Sequence, residues 1–161
     1  MSLTFTDAQV RIADFPTTAV AILPHRGDPA SIGDTIWRFI AWRRTVGLPP
    51  SENATVNILH GDPDDVPVNA YWIDLCVATA RRIEPNDDGI VAGEIPSGRC
   101  VVLRQIGSSD DLRPAVSFIY GEWLPRSGRE LRDCPEFVQR VSFSPHVPEH
   151  EAITDIFLPI K

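Results

Sequence analysis

The chain has 161 residues and a formal net charge of −7, with 43% hydrophobic and 23% charged residues. This length fits one domain that buries about 68–70% of its unfolded surface without help from disulfides or metals. Basic residues occur at most in adjacent pairs, as in Arg43-Arg44 and Arg81-Arg82, so the sequence lacks the cationic surface of a nucleic-acid binder. We expect no direct contact with nucleic acid.

The cysteines and the first residues indicate a cellular location. Cys76, Cys100 and Cys134 are odd in number and lack CxxC spacing, which favours reduced thiols, and the first two lie in apolar strands. Residues 1–10 contain neither a basic stretch nor an apolar core, and no apolar run approaches the ~18 residues of a membrane span. The sequence therefore predicts a cytoplasmic protein that does not contact membranes.

The first half predicts two strands, a helix and two more strands. Residues 10–13 alternate in polarity and residues 18–24 are mostly apolar, which together predict a β-hairpin around Phe15-Pro16. Asp28 and Pro29 form a typical helix start, and the predicted helix covers about 29–46. Its apolar face contains Ile32, Ile36, Phe39, Ile40 and Val46, while Arg38, Arg43 and Arg44 point elsewhere, and Gly47 ends it.

The strand predicted at 69–79 places a carboxylate inside an apolar segment. The strand before it covers 54–60, and a turn at 61–65 joins the two. Because side chains alternate between the faces of a strand, Asp74 shares one face with Trp72 and Cys76, opposite the apolar face of Leu75.

The second half repeats this order. Residues 90–94 and 99–105 predict a hairpin, and Ser108 or Ser109 is expected to cap a helix over about 109–124 that Pro125 ends. Strands follow at 137–143 and 153–161, and Asp155 shares a face with Phe157 in the last one.

Equivalent residues recur at an offset of 80, and then of 81 after one inserted residue. Phe15-Pro16 recurs as Ile95-Pro96, and Asp74 recurs as Asp155. We interpret residues 1–161 as a single α+β domain built from a tandem βαββ repeat, with halves at about 8–80 and 88–161. This arrangement predicts pseudo-twofold symmetry, a curved antiparallel sheet with two main helices, and a cleft between the halves.

Several kinds of catalytic or metal site are excluded by their motifs. The chain has no GxSxG, GxxxxGK[ST], GxGxxG or HExxH segment. His146 and His150 are four residues apart, but Pro145 and Pro148 disfavour the helix that would align them on a metal. We expect no metal and no cofactor, and we interpret His25 and His60 as plain polar contacts.

Asp74 and Asp155 are the principal candidate site residues. A carboxylate among apolar neighbours must be paired, hydrogen-bonded or protonated, and such acids mark functional sites. The alternative is a structural role, in which each aspartate binds backbone amides or an arginine such as Arg99 or Arg104. Aromatic residues could line the same site, chiefly Trp72, Tyr120, Trp123 and Phe157.

Five segments together resemble the GyrI-like small-molecule-binding domain, which is also the effector-binding half of AraC-type and MerR-type multidrug regulators. The segments are DPDDVP, DLCV, EIPSGRC with VLRQIGS, YGEWLPRSG, and the terminal TDIFLPIK. The resemblance covers about Val10 to Lys161 and implies a duplicated unit with a ligand groove at the pseudo-twofold axis. In that family a glutamate of the terminal strand faces the groove, and its position here is Asp155. A second family glutamate corresponds here to Val138.

We expect a stand-alone member that binds an aromatic or amphipathic, including cationic, small molecule in the cytoplasm. One alternative is a hydrolase of reactive cyclopropane-bearing toxins, with Asp155 as general base. Another is a protein-interaction role like that of the gyrase inhibitor that names the family, with an unidentified protein partner. Asp155 is predicted to matter more to the site than Asp74.

Overall fold

The computed structural model describes residues 5–60, 71–108, 112–143 and 147–161. Its strands are β1 (Val10–Phe15), β2 (Thr18–Arg26), β3 (Thr55–Leu59), β4 (Trp72–Ala78), β5 (Val91–Ile95), β6 (Gly98–Ile106), β7 (Glu136–Ser142) and β8 (Ile153–Pro159). Its helices are α1 (Ile32–Val46), α2 (Arg113–Phe118) and α3 (Leu124–Ser127), with a π-helical turn at Ile119–Trp123 and 3-10 turns at Asp7–Gln9, Pro29–Ser31 and Glu149–Glu151. The predicted turn at 61–65 and Ser109, one of the two candidate caps of the second helix, lie outside the described residues. Ser108 is described but does not cap α2, which begins at Arg113 with Leu112 at its N-cap.

The chain forms two compact units. One consists of Met1–Pro16 and Ser97–Lys161, and the other of Thr17–Pro96. The first unit contains the strand order β1-β6-β8-β7 and the second contains β3-β4-β2-β5, with antiparallel pairing throughout each. The α+β class with antiparallel strands and two main helical regions is confirmed.

The two predicted hairpins are wrong. β1 pairs with β6 and β2 pairs with β5, so the first strands of the two repeats are exchanged between the units. Only Pro16-Thr17 separates β1 from β2, and only Pro96-Ser97 separates β5 from β6. A two-residue hairpin needs a positive φ at its first central residue, and proline fixes φ near −65°. The chain therefore continues into the other unit at both prolines.

Helix α1 packs on one face of the sheet in unit Thr17–Pro96. Phe39 joins a buried cluster with Leu23, Leu75 and Val77, so the predicted apolar face of the Asp74 strand is confirmed. The predicted helix start is also confirmed, because the Asp28 carboxylate accepts a hydrogen bond from Ala30 N at 2.9 Å. The helix ends at Gly47, whose φ of 73° is left-handed.

His25 joins the end of β2 to the start of α1, as a plain polar contact. Its Nε2 lies 3.0 Å from the carbonyl oxygen of Asp28, and its Nδ1 lies 2.7 Å from the Thr35 hydroxyl. A carbonyl only accepts, so Nε2 carries the proton and Nδ1 accepts from Thr35. The structural interpretation of His25 is confirmed.

Arg43 is buried, and the prediction that it points away from the core is wrong. Its guanidinium donates to the Leu48 carbonyl at 2.9 Å, the Thr55 hydroxyl at 2.8 Å and the Asn53 carbonyl at 3.1 Å. Helical spacing places it one turn after Phe39, on the packed face, while Ile36 is 39% exposed. Burial lowers the pKa of Arg43 to about 10, which still leaves it charged near neutral pH. Polar loop oxygens therefore stabilise a cation on a face predicted to be apolar.

We expect Arg43→Met to lower the free energy of unfolding by about 2–4 kcal/mol, because one buried and two partly buried acceptors lose a charged donor. The adjacent Arg44→Met, at an exposed position, should change it by less than about 0.5 kcal/mol. Urea unfolding followed by far-ultraviolet circular dichroism measures both. Equal effects of the two substitutions would contradict a structural role for Arg43.

The second helical region continues past Pro125, contrary to the prediction. Leu124 N–H donates to the Ile119 carbonyl, five residues earlier, which marks the π-helical turn. Pro125 then occupies the first turn of α3, where its missing N–H is tolerated, and the region ends at Gly128 with a φ of 70°. A change in hydrogen-bond register thus accommodates the proline.

All three cysteines are free. Cys76 is 0% exposed and Cys100 is 1% exposed, as predicted, while Cys134 is partly buried. Burial raises the pKa of the thiols of Cys76 and Cys100. Both effects suppress thiolate reactivity.

At pH 8 an aromatic disulfide reagent should label at most one thiol rapidly in the native protein, and that thiol should be Cys134. The reagent should label all three in urea. Peptide mapping after a short exposure identifies the modified residue. Rapid native labelling of Cys76 would contradict the complete burial of this side chain in β4.

The sheet of the unit that contains Asp155 is strongly curled. Phe15 on β1 lies 4.8 Å, between ring centroids, from Phe137 on β7, although β6 and β8 lie between these two strands. In a flat sheet three strand spacings would separate β1 and β7 by about 14 Å. The register places both phenylalanines on the Asp155 face. That face is therefore concave.

Candidate functional site

Asp155 lies in a cross-strand row on the concave face. Arg104 on β6 and Gln139 on β7 are its direct neighbours in the register. Arg104 Nε donates to Asp155 Oδ1 at 2.8 Å, and Arg104 Nη2 donates to Oδ2 at 3.0 Å. This bidentate geometry stabilises a carboxylate that is only 4% exposed. The same hydrogen bonds raise the pKa of Arg104.

A second arginine approaches the same carboxylate. Arg11 Nη2 on β1 lies 3.8 Å from Asp155 Oδ2. The side chain of Arg11 is 58% exposed and that of Arg104 is 47% exposed, whereas that of Asp155 is 6% exposed. The acid therefore forms the base of the cluster and the two guanidinium groups reach outward.

Phe157 belongs to an aromatic cluster next to this row. Its ring stacks on Phe137 at 4.8 Å with an angle of 7° between the planes, and Phe15 meets it edge-on at 5.4 Å. Phe137 and Phe157 are buried, while Phe15 is partly accessible. The concave face thus has three phenyl rings beside a charged cluster.

Tyr120 and Trp123 lie in the π-helical turn, not on the strands that carry the two aspartates. The Tyr120 hydroxyl donates to Glu136 Oε2 at 3.4 Å, and burial, with the nearby carboxylate, raises the pKa of Tyr120. Trp123 is partly buried. Their predicted membership of the ligand site stays a prediction.

Asp74 has different partners from Asp155. His60 Nε2 donates to Asp74 Oδ2 at 2.8 Å, and Trp72 Nε1 donates to Oδ1 at 2.8 Å. Its cross-strand neighbours Pro24 and Ile58 offer no polar side chain. The donors come instead from Trp72 on the same strand and from His60, the residue after β3. Asp74 therefore accepts hydrogen bonds from an imidazole and an indole, where Asp155 accepts them from a guanidinium.

Trp72 is stacked between two other side chains. The His60 ring lies 3.7 Å from it at 11°, and the Arg26 guanidinium carbon lies 3.9 Å from its ring centroid. Arg26 is the cross-strand neighbour of Trp72 on β2. On the β3 side, the backbone N–H of His60 donates to the Trp72 carbonyl. His60 and Arg26 therefore flank the indole from opposite sides. Arg26 is exposed and would have to move before a ligand could stack on Trp72.

The structure places the predicted residues in three groups: Asp155 with Phe157, Asp74 with Trp72, and Tyr120 with Trp123. The arginine contact expected for Asp155 is present, through Arg104, and the role of Asp155 in a ligand site stays a prediction. For Asp74 the donors among the described residues are His60 and Trp72, which are neither backbone amides nor arginines. The sequence did contain a signal for the contact between His60 and Asp74. Antiparallel pairing of the predicted strand 54–60 with the Asp74 strand brings the histidine at the strand end near the acid.

We expect His60→Ala to lower the free energy of unfolding by about 1–3 kcal/mol, because a buried carboxylate oxygen loses its donor. His150→Ala is the control, since that side chain is 81% exposed, and it should cost less than about 0.5 kcal/mol. Urea unfolding measures both variants. If His60→Ala is as mild as the control, the hydrogen bond to Asp74 contributes little to stability.

Metal binding finds no support within the described ranges, where no group of three or more His, Cys, Asp or Glu side chains could hold an ion. His146, of the predicted His146 and His150 pair, lies outside them. In the same part of the chain no helix has the length and apolar character needed to cross a membrane.

The family comparison defines the class of protein. The model of the GyrI-like small molecule binding domain matches residues 8–161. "Probable transcriptional regulator YgiV" of Escherichia coli (strain K12) is 34% identical over 152 residues, covering 94% of this chain and 95% of YgiV. This chain belongs to the GyrI-like small-molecule-binding family.

Solved structures share the fold. The EcmrR C-terminal domain matches 95% of this chain and 97% of its own, with a TM-score of 0.75 and 17% identity. The match to EcmrR in a complex with DNA has a TM-score of 0.76 and 16% identity over 95% of this chain, which spans only 57% of that EcmrR chain. SAV2435 bound to tetraphenylphosphonium matches 94% of this chain and 93% of its own, with a TM-score of 0.58 and 10% identity.

Proposed function

We propose that the chain senses or sequesters an aromatic, amphipathic small molecule on the concave face that carries Asp155. The observation that carries this proposal is the curled sheet, which gathers Phe15, Phe137 and Phe157 beside an ion-paired acid. Binding sites for small molecules are concave and mostly apolar, with a few fixed polar groups. This face has all three properties.

The aromatic cluster supplies the apolar part of the proposed site. Phe15 is the partly accessible ring, and Phe137 and Phe157 pack against it edge-on. A planar ligand could extend this stack, since offset and edge-on ring pairs are favourable. SAV2435, which has the same fold, is bound to tetraphenylphosphonium, a cation with four phenyl groups, and those phenyl groups are in keeping with an aromatic ligand.

Asp155 fixes the polar part of the proposed site. Because its two oxygens accept hydrogen bonds from Arg104, it holds that guanidinium in one orientation on the face. This engagement supports a binding role over activation of water, and a hydrolytic role for Asp155 stays a prediction. We also propose that the protein acts in the cytoplasm and does not contact DNA directly. A role with a protein partner likewise stays a prediction.

The neutral fluorescent amphiphile 1-pyrenebutanol tests the proposal. It should bind the full chain with a saturable change in fluorescence, and Phe15→Ala should weaken binding by about tenfold or more because a stacking surface is lost. Ile12→Ala is the matched control, because Ile12 lies on the same strand, is 42% exposed and faces the other side of the sheet.

The control should leave the affinity for pyrenebutanol unchanged. Absence of saturable binding to the unmodified chain, or equal losses in the two variants, would overturn the proposed site. Circular dichroism of each variant at the titration temperature verifies that it is folded.

A further inference from the structure

We propose that the Asp155 site selects amphipathic ligands that carry a carboxylate or a similar anionic group, with Arg104 and Arg11 as the specificity-determining residues. This inference rests on the proposed function and adds the sign of the ligand's charge. An acid in this position invites the opposite expectation, namely a cationic ligand. The structure shows that the acid already has its cations.

The charge on the concave face is positive. Following the register from β1 across β6 and β8 to β7, its charged side chains are Arg11, Arg104 and Asp155. On these four strands two guanidinium groups stand against one carboxylate, and a third guanidinium, that of Arg132, lies on the same face at 3.7 Å from Cys100 Sγ. Among the described residues the cations on this face therefore outnumber the acid, in a chain whose formal charge is −7. Arg99 and Asp14 form their own ion pair, at 3.6 Å, and both alternate to the opposite face.

The two arginines retain donors for a ligand. Arg104 uses Nε and Nη2 for Asp155, and its Nη1 makes no hydrogen bond to any described residue. Arg11 reaches Asp155 only at 3.8 Å, so it makes an ion pair without a hydrogen bond. A guanidinium presents five N–H donors in a planar fork that matches a carboxylate. Both groups therefore present donors on the exposed side of the cluster.

A cationic ligand would have to break what is already formed. To reach the Asp155 carboxylate it must displace the bidentate contact of Arg104 and must also approach Arg11. The buried acid would exchange one cation for another, while the displaced guanidinium would remain nearby. An anionic ligand needs no displacement, and Asp155 keeps Arg104 in place for it. Selection for anions therefore follows from the cluster as it stands.

A matched pair of probes tests the charge preference. The aromatic body is the same in 1-pyrenebutyrate and 1-pyrenebutylammonium, and only the charge of the head group differs. In fluorescence titrations the full chain should bind the carboxylate about tenfold more tightly than the ammonium compound, as expected for one charge-assisted contact. Arg104→Met should abolish or reverse this preference.

Two further variants make the result specific. Arg11→Met should reduce the preference without breaking the bidentate pair, and it carries the test if Arg104→Met does not fold. Arg99→Met removes the same charge from β6 on the opposite face and should leave the preference unchanged. An effect of Arg99→Met equal to that of Arg104→Met would overturn the proposal, because it would indicate a general charge effect.

Failure of this inference can be distinguished from failure of the proposed function. If pyrenebutanol binds but the ammonium probe binds as tightly as the carboxylate probe, the charge selection is wrong and the aromatic site stands. If none of the three pyrene compounds binds, both proposals fall.

Discussion

The need to give a buried carboxylate polar partners in each repeat is the constraint on which the rest of this structure depends. Asp74 and Asp155 occupy equivalent positions of the two repeats, and both are less than 7% exposed. Such a group is tolerated only with partners, because desolvation of an unpaired charge costs more than a domain's net stability allows. Each unit meets this requirement with its own chemistry.

The two solutions differ because the positions around the acids have diverged. The neighbour of Asp155 on β6 is Arg104, whereas the neighbour of Asp74 on β2 is Pro24. Without a cation beside it, Asp74 takes its donors from the same strand and from the end of β3. An arginine therefore serves one unit, and a histidine with a tryptophan serves the other, so equivalent strand positions have different polar partners.

Local patterns predicted most of the strands, the α1 boundaries and the faces of the two acid-bearing strands. They did so because alternation, capping residues and Gly47 act over a few residues. Strand pairing was predicted wrongly because proximity in sequence outweighed the φ restriction of Pro16 and Pro96. The burial of Arg43 and the partner of Asp74 depend on loop carbonyls and on a strand end brought together by the fold, which periodicity does not encode. For the candidate site, the sequence indicated the acids and Phe157, but not that two arginines would outnumber Asp155.

The exchange of first strands has an evolutionary consequence. A half-length chain with the order of one repeat would have its first strand directed away from its own sheet by the proline after it. Two copies of such a chain could each complete the other's sheet, as in domain-swapped dimers. Gene duplication and fusion would then convert a swapped homodimer into a single polypeptide, and the two acids would become free to evolve separately.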